Sequence, residues 1–429
     1  VIELPSELRA ALADALAAYP PRALADATDD LSATYRQSAS STTRQLPARP
    51  PHRPARPAST AGDASTDAHT EAPATSQPMT ALRVAAYAAT RLPATFAASA
   101  AALTQARLRR PDWRPQSLLD VGAGTGAALW AARAVWPGLT YATLLERDPQ
   151  MIALGRRLAA GMPTATVVEW RQGDLRDPHW WATGDNIMDA GPNARTPSGA
   201  TAGDSAPSNP TSQRNKADRA SVTPDGGYDL VMAAYVLSEL RMEERAALVA
   251  RLWSVTGGAL ALIAPGTPIG FAHMRTARAQ LIAAGATILA PCPHDGACPM
   301  GAAGPLATTP DRINTSVDGR HFDAPGDWCH FAQRLARSRL HRQAKGADLA
   351  YEDEKYSYVV AVHPANAAAI PTTRIGGRIV RHPQTRPGLV ALEFCAPGGL
   401  ERRVVTRKDH DAYRQARDLH WGDALAPDL

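Results

Sequence analysis

The sequence predicts an α/β protein: a parallel β-sheet covered on both faces, preceded by helices and followed by a basic α+β extension. Three observations predict it. From Ser117 onward, short apolar runs alternate with helical patterns, as a parallel sheet with crossover helices requires. One of those runs feeds a glycine-rich turn that opens a helix. All four cysteines of the 429-residue chain, Cys292, Cys298, Cys329 and Cys395, fall in its last third.

In chain order, residues 3–36 space Leu8, Ala11, Leu12, Leu16 and Ala17 at helical intervals, giving a helical segment over 1–36. Residues 37–79 are rich in Ser, Thr, Pro and Ala and bury too little apolar surface to offset their ordering entropy, so a disordered linker is expected. The sheet domain spans 80–285 and opens with a helix over 80–110. Strands follow at 117–121, 141–145, 166–170, 228–233 and 258–264, with helices at 127–135, 149–160 and 243–253. A low-complexity insertion occupies 183–227. The extension, 286–429, has its own insertion at 301–324. It contains a basic helix over 331–345, strands near 356–362, 378–381, 389–394 and 401–406, and a last helix near 409–419.

Composition excludes several classes. Four cysteines are too few for a disulfide scaffold. No charge-free apolar run reaches the roughly 18 residues of a membrane span, so no membrane partner is expected. Residues 1–5 lack a basic-then-apolar leader pattern, so no secretory signal is expected. The net charge of +5 leans towards anionic partners, but only four of the 46 basic residues are lysine. Such a bias can reflect GC-rich coding, so the arginine count alone does not argue for nucleic acid.

The sharpest local signal is Leu118-Leu119-Asp120-Val121-Gly122-Ala123-Gly124-Thr125-Gly126. Gly122, Gly124 and Gly126 let the backbone approach a ligand closely, and the helix beyond presents unpaired N–H groups. Glu146 ends the next strand, where a carboxylate accepts from both hydroxyls of a ribose. Asp174, after the third strand, is placed to accept from an adenine amine. This pattern resembles the class I S-adenosylmethionine-dependent methyltransferases, a Rossmann-like fold. The resemblance implies a pocket for S-adenosylmethionine made by Asp120, Gly122, Gly124, Gly126, Glu146 and Asp174, with Tyr235 and Glu239 placed to line it. After the fourth strand the chain reads Ala233-Ala234-Tyr235-Val236-Leu237-Ser238-Glu239-Leu240. The Asn/Asp-Pro-Pro-Tyr tetrapeptide of amino-methylating enzymes is absent there, as is a cysteine to attack a pyrimidine. No catalytic base is assigned.

The cysteine spacing, Cys-x5-Cys followed by gaps of 30 and 65, lacks the short knuckles of structural zinc sites. Four thiolates suit zinc or an iron–sulfur cluster, and the wide, irregular set fits a cubane somewhat better. Four unrelated core cysteines remain the plain alternative. His294 and His330 are spare candidate ligands.

Longer motifs carry a closer resemblance. The stretch 291–299, Asp327-Trp328-Cys329-His330-Phe331, Tyr351-Glu352-Asp353-Glu354-Lys355-Tyr356-Ser357-Tyr358 and Leu400-Glu401-Arg402-Arg403-Val404-Val405-Thr406-Arg407-Lys408-Asp409 resemble one family. It is the methyltransferase-like mitochondrial small-ribosomal-subunit assembly proteins and their bacterial relatives. Residues 264–271 also resemble its pattern, with Ala264 where a Glu is usual. The resemblance implies a [4Fe–4S] cluster on Cys292, Cys298, Cys329 and Cys395 and action on small-subunit rRNA during assembly. The favoured reading is a binding factor. An active rRNA methyltransferase, or a zinc-stabilised methyltransferase for a non-RNA substrate, are the rivals. Outside the ribosome a monomer is expected, in a bacterial-type cytoplasm or, in a eukaryote, the mitochondrial matrix. From Cys329 to the end there are 16 basic and 11 acidic residues. Arg334, Arg337, His341 and Lys345 would share one helix face, and Arg402, Arg403, Arg407 and Lys408 form a second patch for RNA phosphates.

Overall fold

A computed structural model describes residues 1–43, 79–162, 166–177, 227–300, 327–364, 372–427 and 429. Most of the linker expected at 37–79, nearly all of the insertion at 183–227 and the whole of that at 301–324 lie outside the described residues. The N-terminal segment is two helices, because consecutive prolines at 20 and 21 interrupt the pattern. Helix α1 (Ser6–Leu16) buries Leu8, Leu12, Ala15 and Leu16. Helix α2 (Pro21–Thr43) starts on Pro21, whose missing N–H costs nothing at a first helical position. Helix α3 (Ala81–Arg109) is capped by Thr80, whose side chain accepts from the Arg83 N–H. Its alanine-rich surface is buried along most of its length, so it packs closely on its neighbours despite Pro93 inside it.

The main sheet begins with β1 (Ser117–Val121), α4 (Ala127–Val135), β2 (Tyr141–Glu146), α5 (Pro149–Ala159) and β3 (Val167–Gln172). It continues with β4 (Tyr228–Ala234), α6 (Met242–Ser254), β5 (Thr256–Pro265), α7 (Pro268–Ala283) and β6 (Thr287–Ala290). Then come β7 (Phe331–Ala336), α8 (Arg339–Lys345) and β8 (Tyr351–Val362). The strand order is β3-β2-β1-β4-β5-β8-β6, with β7 on β8. Strands β1 to β5 are parallel, and every residue of β1 is buried, as a central strand covered on both faces demands. This is the class I methyltransferase arrangement. Chain order reverses between β1 and β4, which opens a crevice at the carboxyl ends of the strands.

The sheet is not purely parallel and does not stop at residue 286. Strand β8 lies antiparallel between β5 and β6. A separate sheet begins at β9 (Gly377–Ile379) and adds β10 (Gln384–Arg386), β11 (Leu389–Ala396), β12 (Gly399–Thr406) and β13 (Ala424–Leu425). Helix α9 (His410–Arg417) packs on it around Val390, Leu392 and Phe394.

The basic helix expected over 331–345 is corrected. Its first part is β7, paired antiparallel with β8 from Phe331↔Tyr356 to Ala336↔Tyr351. Phe331 and Leu335, both buried, are four apart, a spacing that one face of a helix and one face of a strand both satisfy. The long open edge of β8 settles the choice. Only α8 is helical, capped by Ser338 and ended by Gly346 in the left-handed region.

Candidate functional site

At the end of β1 the chain folds over β2: the Gly122 and Ala123 N–H groups both donate to the Leu145 carbonyl, at 2.9 and 3.0 Å. Gly122 has φ +71, and a Cβ there would lie 2.3 Å from a Val236 methyl, so no other residue fits without displacement. The Glu146 carboxylate is fixed by three N–H donors: Gly124 at 2.8 Å on one oxygen, Arg147 at 2.9 and Asp148 at 3.0 Å on the other. Asp148 in turn caps α5.

Asp120 is 1% exposed, and among the described residues its Oδ2 has no hydrogen-bond partner. Burial, then the Glu146 charge, raises its pKa to about 7. A buried carboxylate oxygen left over beside a glycine cradle is a donor-seeking group, so these residues fit S-adenosylmethionine. Asp174 follows β3 and accepts from the Arg176 N–H at 2.9 Å. Tyr235 follows β4 with φ +66, the one positive φ outside glycine among the described residues. Its hydroxyl donates to Glu354 Oε1 on β8 at 2.7 Å. Burial, then the Glu354 charge, holds its pKa well above the usual value. Because β1 to β4 are parallel, Asp120, the three glycines, Glu146, Asp174 and Tyr235 all gather at one sheet edge. Glu354 carries no local signal of this role; it belongs to a strand that only the fold brings there.

The four cysteines, all free thiols, line one cavity. Cys292 follows β6, Cys298 lies six residues on, Cys329 precedes β7, and Cys395 sits on β11 of the second sheet. The cavity thus marks where the two sheets meet, with Phe271 and Met274 of α7 and Tyr358 of β8 in its wall. Ser357 of β8 donates to the Cys329 carbonyl at 2.9 Å. Burial pushes the Cys395 thiol up to about 12, reinforced by Cys292 and Cys298. Burial and the other three cysteines push Cys329 well up. Burial raises Cys292, opposed by Arg278. Such thiols remain protonated until an electrophilic metal displaces the proton. Among the described residues no three of His, Cys, Asp or Glu stand as the donor set of one metal ion. His294 Nε2 lies 3.8 Å from Cys395 Sγ, whereas His330 stacks on Trp328 and meets Trp421 edge-on.

The first basic set does not form a helical face. Arg334 on β7 grips Asp353 with two bonds, at 2.7 and 2.8 Å, and lies over the Tyr351 ring. Arg337 and Lys345 donate to Glu352 Oε2 at 2.8 and 2.6 Å, and the buried His341 is 3.4 Å from its other oxygen. Arg337 and Lys345 are thus drawn inward by Glu352, with His341 beside them, while Arg334 is taken by Asp353. In the second set Arg403, Arg407 and Lys408 are exposed, and Arg403 lies over Phe394.

Comparison with known proteins adds one family match, two relatives and one solved structure. Residues 81–426 match the family described as mitochondrial small ribosomal subunit Rsm22. The chain is 26% identical over 359 residues to the mitochondrial ribosome assembly protein METTL17 of Homo sapiens, spanning 79% of this chain and 61% of that one. It is 26% identical over 382 residues to the mitochondrial Rsm22-cox11 tandem protein 2 of Schizosaccharomyces pombe, covering 80% of this chain and 43% of that protein. The chain therefore spans about two fifths to three fifths of the length of these relatives. Among solved structures, an O-methyltransferase family protein from Burkholderia thailandensis aligns with 14% identity over 48% of this chain and 55% of that one, TM-score 0.32. No helix among the described residues is long and apolar enough to cross a membrane.

Proposed function

The chain belongs to the Rsm22 family, and from that premise we propose that it is an S-adenosylmethionine-binding, iron–sulfur-containing factor that acts on the small ribosomal subunit or its rRNA during assembly. The observation that carries this reading is the convergence of Cys292, Cys298, Cys329 and Cys395, from four separate segments and each half-buried, on one cavity. Thiolates spread round a cavity suit a polynuclear cluster, whose ligands bond to different iron atoms. A [4Fe–4S] cluster bound there supplies a covalent staple between the two sheets. Asp120, the glycine turn, Glu146, Asp174 and Tyr235 hold the nucleoside ligand at the sheet edge. Arg403, Arg407 and Lys408, exposed on and just after β12, are suited to RNA phosphates. A ribosomal partner places the protein where its ribosomes are, in a bacterial cytoplasm or the mitochondrial matrix.

One observation favours a second reading, methyl transfer by the protein itself. Tyr235 is held in a costly backbone conformation at the end of β4, with its hydroxyl tied to Glu354. Anaerobic purification with iron, sulfide and zinc analysis, followed by co-sedimentation with immature small subunits and labelled methyl donor, tests both. Iron and sulfide in equal amounts with subunit binding support the first reading, and zinc alone overturns it. Label incorporation that disappears in D120N supports the second.

A further inference from the structure

The wall of the cysteine cavity is cationic. Arg275, Arg278 and Arg378 line it, and no carboxylate does among the described residues. Two of these guanidiniums are deeply buried, Arg278 at 5% and Arg378 at 1% exposure. Burying a charge is costly unless an opposite charge or hydrogen bonds compensate it.

Part of each fork is used structurally. One Arg278 nitrogen donates to the carbonyls of His294 and Gly296, at 2.7 and 2.8 Å, and so shapes the loop between Cys292 and Cys298. Arg378 donates to the Pro291 carbonyl at 2.9 Å and the Gly422 carbonyl at 2.8 Å, and also bonds Gln105. Yet among the described residues Arg278 Nε and Arg378 Nη2 have no hydrogen-bond partner. Neutral carbonyls leave both positive charges unmatched, in a cavity whose other polar side chains are the four thiols, the His294 imidazole, the hydroxyls of Ser357 and Tyr358, and a third guanidinium, Arg275.

We propose that Arg278 and Arg378, with His294, form the charge-compensating shell of an anionic iron–sulfur centre on the four cysteines. This rests on the cluster reading above. Four thiolates make a cubane a net anion, and one-electron reduction makes it more so. Two fixed guanidiniums in an apolar wall offset that charge, and their spare N–H groups have sulfur as an available acceptor. His294 Nε2, 3.8 Å from Cys395 Sγ, is the third donor in the tautomer that carries its proton there. The shell favours the reduced form and so sets the reduction potential higher than four cysteines in an apolar pocket would give.

The test is an anaerobic redox titration of the purified full chain, followed by electron paramagnetic resonance, for wild type, R278K, R278M, R378M and H294Q. The potential is expected to move to more negative values in R278M and R378M, with R278K closer to wild type and H294Q intermediate. Iron content is expected to fall faster in air for the two methionine variants. Variants that retain iron at the wild-type potential overturn the proposal while leaving the cluster reading intact. If R378M does not fold, R278M and H294Q decide the matter by the same criterion. A wild-type protein without iron and sulfide overturns the cluster reading itself.

Discussion

The Tyr235 hydroxyl donates to Glu354 across 2.7 Å, which ties the end of the fourth parallel strand to an antiparallel strand contributed more than a hundred residues later. Removing the donor leaves a largely buried carboxylate without this partner, and such a loss costs about 1–3 kcal/mol. Y235F is therefore expected to lower unfolding stability by that amount in urea titrations. E354Q, which keeps an acceptor oxygen, should cost less.

Gly122 and Gly126 provide a paired test of the turn. Both have positive φ, at +71 and +87, but a Cβ on Gly126 meets its neighbours at 3.5 Å, ordinary van der Waals separation, whereas on Gly122 it overlaps Val236. Backbone strain alone costs roughly 1–3 kcal/mol, and overpacking adds a similar amount. G122A is expected to destabilise more than G126A in thermal melts and to weaken S-adenosylmethionine binding more in calorimetry.

Asp120 gives a pH dependence with a definite sign. Its folded pKa of about 7 lies above the usual aspartate value, so the folded chain holds this proton where the unfolded chain has released it. Stability from this group is full at acid pH and lost as the pH rises towards 7. In ligand-free protein, the stability difference between D120N and wild type should therefore change in favour of D120N from about pH 4 to about pH 7. A flat difference would show that Asp120 is ionised throughout.

Glu352 works in the opposite direction. Burial disfavours its charge, but hydrogen bonds from His341, Lys345 and Arg337 outweigh that and hold its pKa well below the usual range. Its contribution is present above the unfolded value and fades in acid. E352Q strands two half-buried or buried cations, a loss of about 3–5 kcal/mol near neutral pH that should shrink below about pH 4. Urea unfolding at both pH values checks it.

The two basic sets should behave differently towards RNA. Each phosphate deprived of its cation lowers the salt slope of binding by roughly 0.7–0.9. Replacing Arg403, Arg407 and Lys408 with alanine should flatten the slope for isolated small subunits by about two, with little change in melting temperature. Replacing Arg337 and Lys345 should lower the melting temperature and leave the slope nearly unchanged. Equal slopes in both variants would rule out phosphate binding by the second patch.

The parallel strands were legible because each is an apolar run bounded by turn residues, and the glycine turn because its geometry depends on local sequence. The cysteines could be named, but their meeting could not be read from spacing, since Cys395 arrives on a separate sheet. The stretch from Phe331 misled because its apolar residues fit two periods and its cations fit a helix. Glu352, which gathers two of the cations and the His341 imidazole, is an inconspicuous member of an acidic run. Glu354, Arg278 and Arg378 take their roles from non-local neighbours, which no window along the chain contains.

The position of β8 also bears on biogenesis. During synthesis, β5 emerges with an unpaired edge and waits for residues 351–362 before it is covered. Until then the nascent chain presents a hydrophobic ribbon that invites pairing with other chains. Cys292 and Cys298 are exposed to the translation milieu during the same interval, before Cys395 exists to complete the set. Chaperone demand therefore lasts until residues 351–362 are made, and a premature stop before them releases a product with an uncapped sheet and without the fourth cysteine of the set.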